Sequence, residues 1–172
     1  MNIAIVNLVR GRPASYHKKL VKTVGIKFNE KKVLNKKIPS HITLKFPYEV
    51  KDIKEMEEII KRLASQNQKF KIEIDGFGNF EEKVIYLKVK NPKKIKAIQR
   101  KLLGELKTKG NKYDKRFVPH ITISNGKKKN FTNILNYLNP SQKPYFSFYF
   151  DNITILKKSN GQRKVYKEFK LK

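Results

Sequence analysis

One tripeptide, His-Ile-Thr, occurs twice in this chain, at His41-Ile42-Thr43 and at His120-Ile121-Thr122. The two histidines are 79 residues apart, and each opens an alternating apolar run that predicts a β-strand. Because side chains at i and i+2 of a strand point to the same face, each copy places an imidazole beside a hydroxyl. A chain that repeats such a strand is constrained to fold as two related units. If the two faces meet across a cleft, their histidines form an acid–base pair.

Three further residues lie close to these motifs. Lys45 and Ser124 each follow a motif threonine by two residues, so strict strand alternation places them on the face of the histidines. Arg116 lies four residues before His120 and carries a charge that suits a phosphate. We therefore expect all three to contact substrate. The remaining histidine, His17, falls in a predicted helix with no companion, and we expect it at the surface.

The order of the predicted elements repeats as well. Pro13 and Pro92, each near the start of a predicted helix, are also 79 residues apart, and Asp75 and Asp151 are 76 apart. The pattern predicts two βαβαβ units and an extra terminal strand, hence an α+β fold with pseudo-twofold symmetry around a central groove. In the first half the predicted elements are the strand Asn2–Val9, the helix Pro13–Val24, the strand His41–Phe46, the helix Asp52–Ala64 and the strand Phe70–Asp75. In the second half they are the strand Val84–Lys90, a helix that begins at Asn91-Pro92 and stops before Gly110, the strand Phe117–Ser124, the helix Phe131–Leu138, and the strands Tyr145–Leu156 and Val165–Leu171.

Composition restricts the chemistry and the partners. The chain has no cysteine, which excludes disulfides, thiolate zinc sites and thiol nucleophiles. It has no run of about 18 apolar residues, so we expect a soluble cytoplasmic protein without a membrane partner. The formal net charge is +27. A genome that favours lysine codons would raise glutamate as well, yet Asp and Glu together number only 14, so the excess indicates a polyanionic partner such as a nucleic acid.

Two histidines and two threonines suit the chemistry of a phosphodiester. The attacking oxygen must lose a proton while the leaving oxygen gains one, on opposite sides of phosphorus. One neutral and one protonated imidazole supply both functions without a metal. The hydroxyls of Thr43 and Thr122 are placed to donate hydrogen bonds to the non-bridging oxygens, where negative charge accumulates.

On these residues the chain resembles the 2H phosphoesterase superfamily, and within it the RNA 2′,3′-cyclic phosphodiesterases once called 2′-5′ RNA ligases. His41-Ile42-Thr43-Leu44 and His120-Ile121-Thr122-Ile123 match both family motifs, and Phe117-Val118-Pro119 matches the lead-in to the second. The resemblance covers nearly the whole chain. It implies one bilobal domain over residues 1–172, with mainly antiparallel sheets, a central cleft, and repeat halves of about 1–80 and 81–172.

The resemblance also implies an activity and its residues. A 2′,3′-cyclic phosphate on RNA or a nucleotide would be opened to a 2′-phosphate by a monomer that uses neither metal nor cofactor. His41 and His120 would be general acid and base, in an order that the sequence leaves open, and Thr43 and Thr122 would bind the phosphate. Family members often carry an arginine soon after the second motif. Here Lys127-Lys128-Lys129 stands in that place, which would forfeit bidentate recognition of a phosphate.

Other interpretations use the same residues. A basic RNA-binding protein without catalysis would use the groove only to hold phosphates, and a 2′-5′ RNA ligase would run the same chemistry in the other direction. A zinc site made of the three histidines has no supporting ligand motif. The aromatic run Tyr145 to Phe150 alternates, so one of its faces is expected in the core, while the other is able to stack bases.

Overall fold

A computed structural model describes residues 1–30, 34, 38–106, 111–125, 128–139 and 143–172. The described helices are α1 (Gly11–Lys27), α2 (Ile53–Ser65), α3 (Lys93–Glu105), α4 (Lys112–Lys115) and α5 (Lys128–Leu138). The described strands are β1 (Asn2–Leu8), β2 (His41–Glu49), β3 (Phe70–Phe80), β4 (Val84–Lys90), β5 (His120–Asn125), β6 (Tyr145–Phe150), β7 (Asn152–Ser159) and β8 (Gln162–Lys170). None of the described helices is long and apolar enough to cross a membrane.

The strands form two antiparallel sheets of four. The terminal sheet has the order β2-β1-β7-β8 and is built from the two ends of the chain, whereas the middle sheet has the order β5-β4-β3-β6. This confirms the predicted α+β fold with two similar units and mainly antiparallel sheets. The units exchange strands: β3, from the first half, pairs with β4, and β7, from the second half, pairs with β1.

The prediction of one strand over Tyr145–Leu156 is wrong, because the chain changes sheets in the middle of this segment. β6 pairs with β3 in the middle sheet, and β7 pairs with β1 in the terminal sheet. The side chain of Asn152 stabilises the crossing. Its Oδ1 accepts from the backbone N–H of Leu8 at 2.8 Å, and its Nδ2 donates to the Leu8 carbonyl at 3.0 Å. A side-chain amide thus replaces a ladder partner at the point where the strand is interrupted.

The predicted end of the third strand at Asp75 is also wrong. The register between β3 and β4 shifts between Ile74 and Phe77, and Gly76 adopts a positive φ of 78°. The glycine signal therefore marks a bulge rather than a turn, and the strand continues to Phe80.

Two helices pack across the two units. α1 follows β1 yet contacts β5 and β6, and α3 follows β4 yet contacts α2 and β2. Tyr16 of α1 meets the ring of Phe146 edge-on, with 5.5 Å between the ring centroids. One apolar cluster includes buried residues of both sheets, among them Ile3, Ile5, Ile74, Leu87 and Ile121. The sheets therefore share a core.

A buried ion pair ties β2 to the segment before β5. Lys45 Nζ lies 2.8 Å from Asp114 Oδ2, and both side chains are almost completely shielded from solvent. Asp114 also accepts from the backbone N–H groups of Phe46 and Asn111, at 3.2 and 2.9 Å. Asn111 in turn accepts from the N–H of Asp114, so the two residues form the capping box of α4. The carboxylate is thus fully engaged by one cation and two amides.

We expect the Asp114→Asn substitution to lower the free energy of unfolding by about 3–5 kcal/mol, because it leaves the Lys45 ammonium buried and unpaired. Urea unfolding followed by circular dichroism measures the loss. The matched control is Glu82→Gln, which removes an ion pair to Lys128 whose side chains are 65% and 80% exposed, and a far smaller loss is expected there. The double variant Lys45→Met/Asp114→Asn should recover much of the stability. Equal losses in Asp114→Asn and Glu82→Gln would contradict the assignment.

Candidate active site

The two motif strands meet at the junction of the two sheets. β2 is the edge strand of the terminal sheet, β5 is the edge strand of the middle sheet, and the two strands contact each other. A cavity of about 380 Å³ lies at this junction. Its wall includes His41 and Thr43 from β2 and Thr122 from β5. The structure thus brings three of the four predicted catalytic residues to one cavity.

Both motif histidines are oriented by their own backbone. The Nδ1 atom of His41 lies 2.7 Å from the carbonyl oxygen of Pro39, and Nδ1 of His120 lies 2.7 Å from that of Val118. In each case the partner is the carbonyl two residues earlier. Because a carbonyl only accepts, Nδ1 must carry the proton, and in a neutral ring Nε2 then holds the lone pair. The two copies of the motif therefore share the hydrogen bonding of their histidine side chains as well as their sequence.

His120 lies in an aromatic environment beside the cavity rather than in its wall. Its ring centroid lies 4.9 Å from that of Phe80 and 5.0 Å from that of Tyr86. Gly78 makes room for this cluster, because a Cβ atom at that position would lie 2.5 Å from the Tyr86 ring. Burial lowers the pKa of His120, and the hydrogen bond to the Val118 carbonyl opposes this effect. The neutral imidazole is therefore favoured at pH 7.

The expectation that Lys45 and Ser124 share a face with the histidines is wrong. On β2, Thr43 pairs with Val6 while Lys45 pairs with the adjacent Ile5, so one extra residue is inserted between them. β5 carries the same irregularity, since Thr122 pairs with Tyr86 and Ser124 with the adjacent residue Ile85. A bulge at the same place in both motifs turns Lys45 and Ser124 to the opposite face, where each is 3% exposed.

The residues after the bulges replace them in the cavity. Phe46 and Asn125 line its wall, whereas Lys45 lies in the buried ion pair with Asp114. Arg116 is exposed at the end of α4 and does not belong to the cavity wall. Of the lysine run after the second motif, Lys127 lies outside the described residues. Lys128 begins α5, where it pairs with Glu82.

His17 is buried between the two motifs, so the prediction of a surface position is wrong. Its Nδ1 lies 2.6 Å from Ser40 Oγ, and its Nε2 lies 2.8 Å from the carbonyl oxygen of Thr122. Ser40 immediately precedes His41, so this one imidazole joins both motifs. The signal was present in the sequence: His17, Val21 and Val24 have the spacing of one helix face, and Val21 lines the cavity while Val24 is buried.

Arg163 of β8 is a further wall residue, and no local pattern in the sequence distinguishes it from the other basic residues. One of its guanidinium nitrogens donates to Asn2 Oδ1. Another, Nη1, is buried without a hydrogen-bond partner among the described residues. Part of the apolar wall comes from a small cluster on the terminal sheet, namely Ala4, Val6, Ile38 and Leu156. The cavity therefore combines imidazoles, hydroxyls and a guanidinium with an apolar floor.

No group of three or more His, Asp or Glu side chains within the described ranges is arranged to hold a metal ion. Among the described residues that line the cavity, the titratable groups are two imidazoles and one guanidinium, from His41, His17 and Arg163. Such a set, together with the hydroxyls of Thr43 and Thr122, is suited to binding an anion and to moving protons.

Comparisons with known proteins agree with this geometry. The family profile of the 2′-5′ RNA ligase superfamily matches residues 26–162. A protein of Geobacillus thermodenitrificans named “Putative phosphoesterase” is 37% identical over 90 residues, which are 50% of this chain and 51% of that protein. One of Bacillus cereus with the same description is 33% identical over 94 residues, 52% of this chain and 53% of that protein. The chain thus spans about half the length of the curated relatives it matches.

Two solved structures have a similar fold over almost the whole chain. TT0787 of Thermus thermophilus has a TM-score of 0.62 at 18% identity, with 99% of this chain and 98% of that one covered. LigT of E. coli in its apo form has a TM-score of 0.62 at 14% identity, with 99% and 96% covered. Further structures of LigT contain ATP, 3′-AMP, NADP⁺ or phosphate.

We expect the three histidines to include both neutral tautomers of imidazole. His41 and His120 should carry the proton on Nδ1, whereas His17 should carry it on Nε2, because the Thr122 carbonyl accepts from that nitrogen. Long-range ¹H–¹⁵N correlation spectra at a pH above 8 distinguish the two forms. Three identical tautomers would contradict the geometry.

Burial also predicts how two of these histidines titrate. The pKa values of His17 and His120 are lowered by burial, so both should titrate below about 6.5. Following the imidazole ¹³C and ¹⁵N shifts between pH 4 and 8 measures this. Inorganic phosphate should move the midpoint of His120 upward, because an anion favours the imidazolium. A midpoint of His120 at or above 6.5 in the free protein would overturn the expectation.

Proposed function

The chain belongs to the 2′-5′ RNA ligase superfamily, and from that premise we propose that it is a phosphoesterase that opens 2′,3′-cyclic phosphates on RNA ends or nucleotides to 2′-phosphates. The observation that carries the proposal is the matched pair of histidines at the junction of the sheets. Each ring is held through Nδ1 by its own backbone, so that proton transfer falls to Nε2.

The proposed reaction gives each ring one role in proton transfer. His120 has a lowered pKa and is neutral at pH 7, so its Nε2 takes the proton of an attacking water. The oxygen of that water forms a bond to phosphorus while the bond from phosphorus to O3′ breaks. His41, protonated on both nitrogens, gives its Nε2 proton to O3′ and keeps its Nδ1–H bond to the Pro39 carbonyl. The phosphate remains on O2′.

The threonines and Arg163 have supporting roles in this scheme. Thr43 and Thr122 follow the histidines by two residues on the same strand faces, and both belong to the cavity wall. Their hydroxyls donate to the non-bridging oxygens, whose charge grows as water attacks. Arg163 places a guanidinium in the same wall, where it attracts the anion in place of the arginine expected after the second motif.

The substrate class is supported by charge and by the shape of the cavity. A formal net charge of +27 attracts polyanions and raises their encounter rate. The apolar floor made by Ala4, Val6, Ile38 and Leu156 offers a surface for a base or ribose beside the phosphate-binding hydroxyls. The nucleotides and phosphate in the LigT structures are ligands of the same chemical class.

We expect His41→Ala and His120→Ala each to lower kcat by about 10²–10⁴, the usual contribution of an acid or base. Thr43→Val and Thr122→Val should each cost up to about 10²–10³, as for loss of an oxyanion donor. The assay is conversion of a short RNA that ends in a 2′,3′-cyclic phosphate to the 2′-phosphate, in EDTA. The matched control is Thr132→Val, which deletes an exposed hydroxyl on α5 and should leave the rate unchanged.

The same assay separates the alternatives. Full activity in both histidine variants would refute the mechanism. A wild-type protein that binds the RNA in a salt-sensitive way but never converts it would be the non-catalytic RNA-binding protein instead. If an RNA with a free 5′-hydroxyl is added and a 2′-5′-linked product forms, the attacking group is that hydroxyl rather than water, and the direction is that of a ligase.

A further inference from the structure

The sheet face that carries His120 and Thr122 does not end at the cavity. Directly paired residues of an antiparallel sheet point to the same side, so the face can be followed from strand to strand. Lys88 of β4 lies opposite His120, and Lys90 lies opposite Glu73 of β3.

On the outer edge, Tyr145 of β6 lies opposite Asp75, and Tyr149 lies opposite Lys71. We call the part of this face on β4, β3 and β6 the tyrosine–lysine face.

Two tyrosines are presented to solvent on this face. β6 alternates strictly, with Phe146, Phe148 and Phe150 packed into the core and the tyrosines on the other side. Tyr145 is 66% exposed and Tyr149 is 57% exposed. Ring planes that project this far from a rigid sheet are available for stacking, and the packed phenylalanines behind them fix their position. The expectation that one side of this aromatic run is core is therefore confirmed.

Lysines lie on the same face as the tyrosines. Lys71, Lys88 and Lys90 are exposed on the same face, and the Nζ of Lys90 lies 5.7 Å from the centroid of the Tyr145 ring. Two carboxylates oppose these three cations: Glu73, whose Oε2 is 3.9 Å from Lys90 Nζ, and Asp75. The lysines on this face outnumber the carboxylates, so its net charge is positive, and the lysines lie on the two strands next to the tyrosine strand, β3 and β4.

We infer that the tyrosine–lysine face binds the single-stranded RNA segment on the 5′ side of the reacting phosphate. This inference rests on the proposed function. Sequence-independent binding of single strands combines stacking on aromatic side chains with lysine contacts to phosphates, and this face offers both. β6 is three strand spacings from β5, about 14 Å. A strand whose 3′ end lies at His120 therefore crosses Lys88 and reaches Tyr145 within a few nucleotides.

The test compares a long and a short substrate. One is an eight-nucleotide RNA that ends in a 2′,3′-cyclic phosphate, and the other is the matching nucleoside 2′,3′-cyclic phosphate. For the wild type, kcat/KM should be higher on the RNA. In Tyr145→Ala/Tyr149→Ala the ratio of the two kcat/KM values should fall about tenfold or more, through KM on the RNA. Tyr145→Phe/Tyr149→Phe should retain the wild-type ratio, because the rings that stack are kept.

Tyr166→Ala is the matched control. Tyr166 is a strand tyrosine that is 41% exposed, and Lys157 Nζ lies 5.8 Å from its ring centroid. Its hydroxyl donates to Glu57 of α2, which places it on the helix-covered side of the terminal sheet. This substitution should leave the ratio unchanged. A wild type without preference for the RNA, or an alanine double variant with the wild-type ratio, would overturn the inference while the proposed function stands.

A binding measurement separates the two proposals. Fluorescence anisotropy with a labelled eight-nucleotide RNA that ends in a 3′-hydroxyl reports on the face without any turnover. Weaker binding by the alanine double variant, but not by Tyr166→Ala, supports the inference even if no cyclic phosphate is opened. Unchanged binding by the double variant, together with weaker binding by Lys71→Gln/Lys88→Gln, would show charge without stacking and would overturn it.

Discussion

Hydrogen bonding between strands of different halves is the interaction on which the cleft depends. β3 comes after the first motif yet pairs with β4, and β7 comes after the second motif yet pairs with β1. Neither sheet is complete without a strand from the other half, because the backbone groups of β1 and β4 need those partners. β3 and β7 occupy inner positions, and β2 and β5 lie at the edges of their sheets. The two motifs meet because both are carried by edge strands.

Buried polar contacts then fix the two edges relative to each other. His17 bonds Ser40 on one side and the Thr122 carbonyl on the other, and Lys45 reaches Asp114 in the helix before β5. Each contact joins the neighbourhood of one motif to that of the other. An apolar contact would tolerate sliding, whereas a hydrogen bond or ion pair in a dry environment loses most of its value when displaced by about an ångström. The cleft is therefore held by directional bonds as well as by the shared core.

The sequence alone was sufficient to predict those features that a single local pattern determines. The two motifs, the duplicated order and the alternation of β6 all follow from spacing along the chain, and the antiparallel sheets followed from the family resemblance. Lys45 and Ser124 were misplaced because strict alternation assumes a regular ladder, and nothing local to Leu44 or Ile123 announces a bulge. The break at Asp151 was missed for a similar reason, since the amide of Asn152 acts on Leu8, a residue 144 positions away. The surface position predicted for His17 is wrong even though its helical spacing with Val24 was visible in the sequence.

The partial burial that makes His120 a base also lowers the folding stability of the protein at acidic pH. Its pKa is lowered in the folded protein, so the folded state binds a proton less readily than the unfolded chain does. Stability is therefore complete above the unfolded pKa of about 6.5 and declines as the pH falls toward the lowered pKa of the folded state. His17 acts in the same direction, since burial lowers its pKa as well. A phosphate bound beside His120 reverses the balance, because the anion stabilises the imidazolium. The half-buried base thus stays neutral in the free protein, and the anionic substrate stabilises the charge that the ring acquires when it takes the proton of the attacking water.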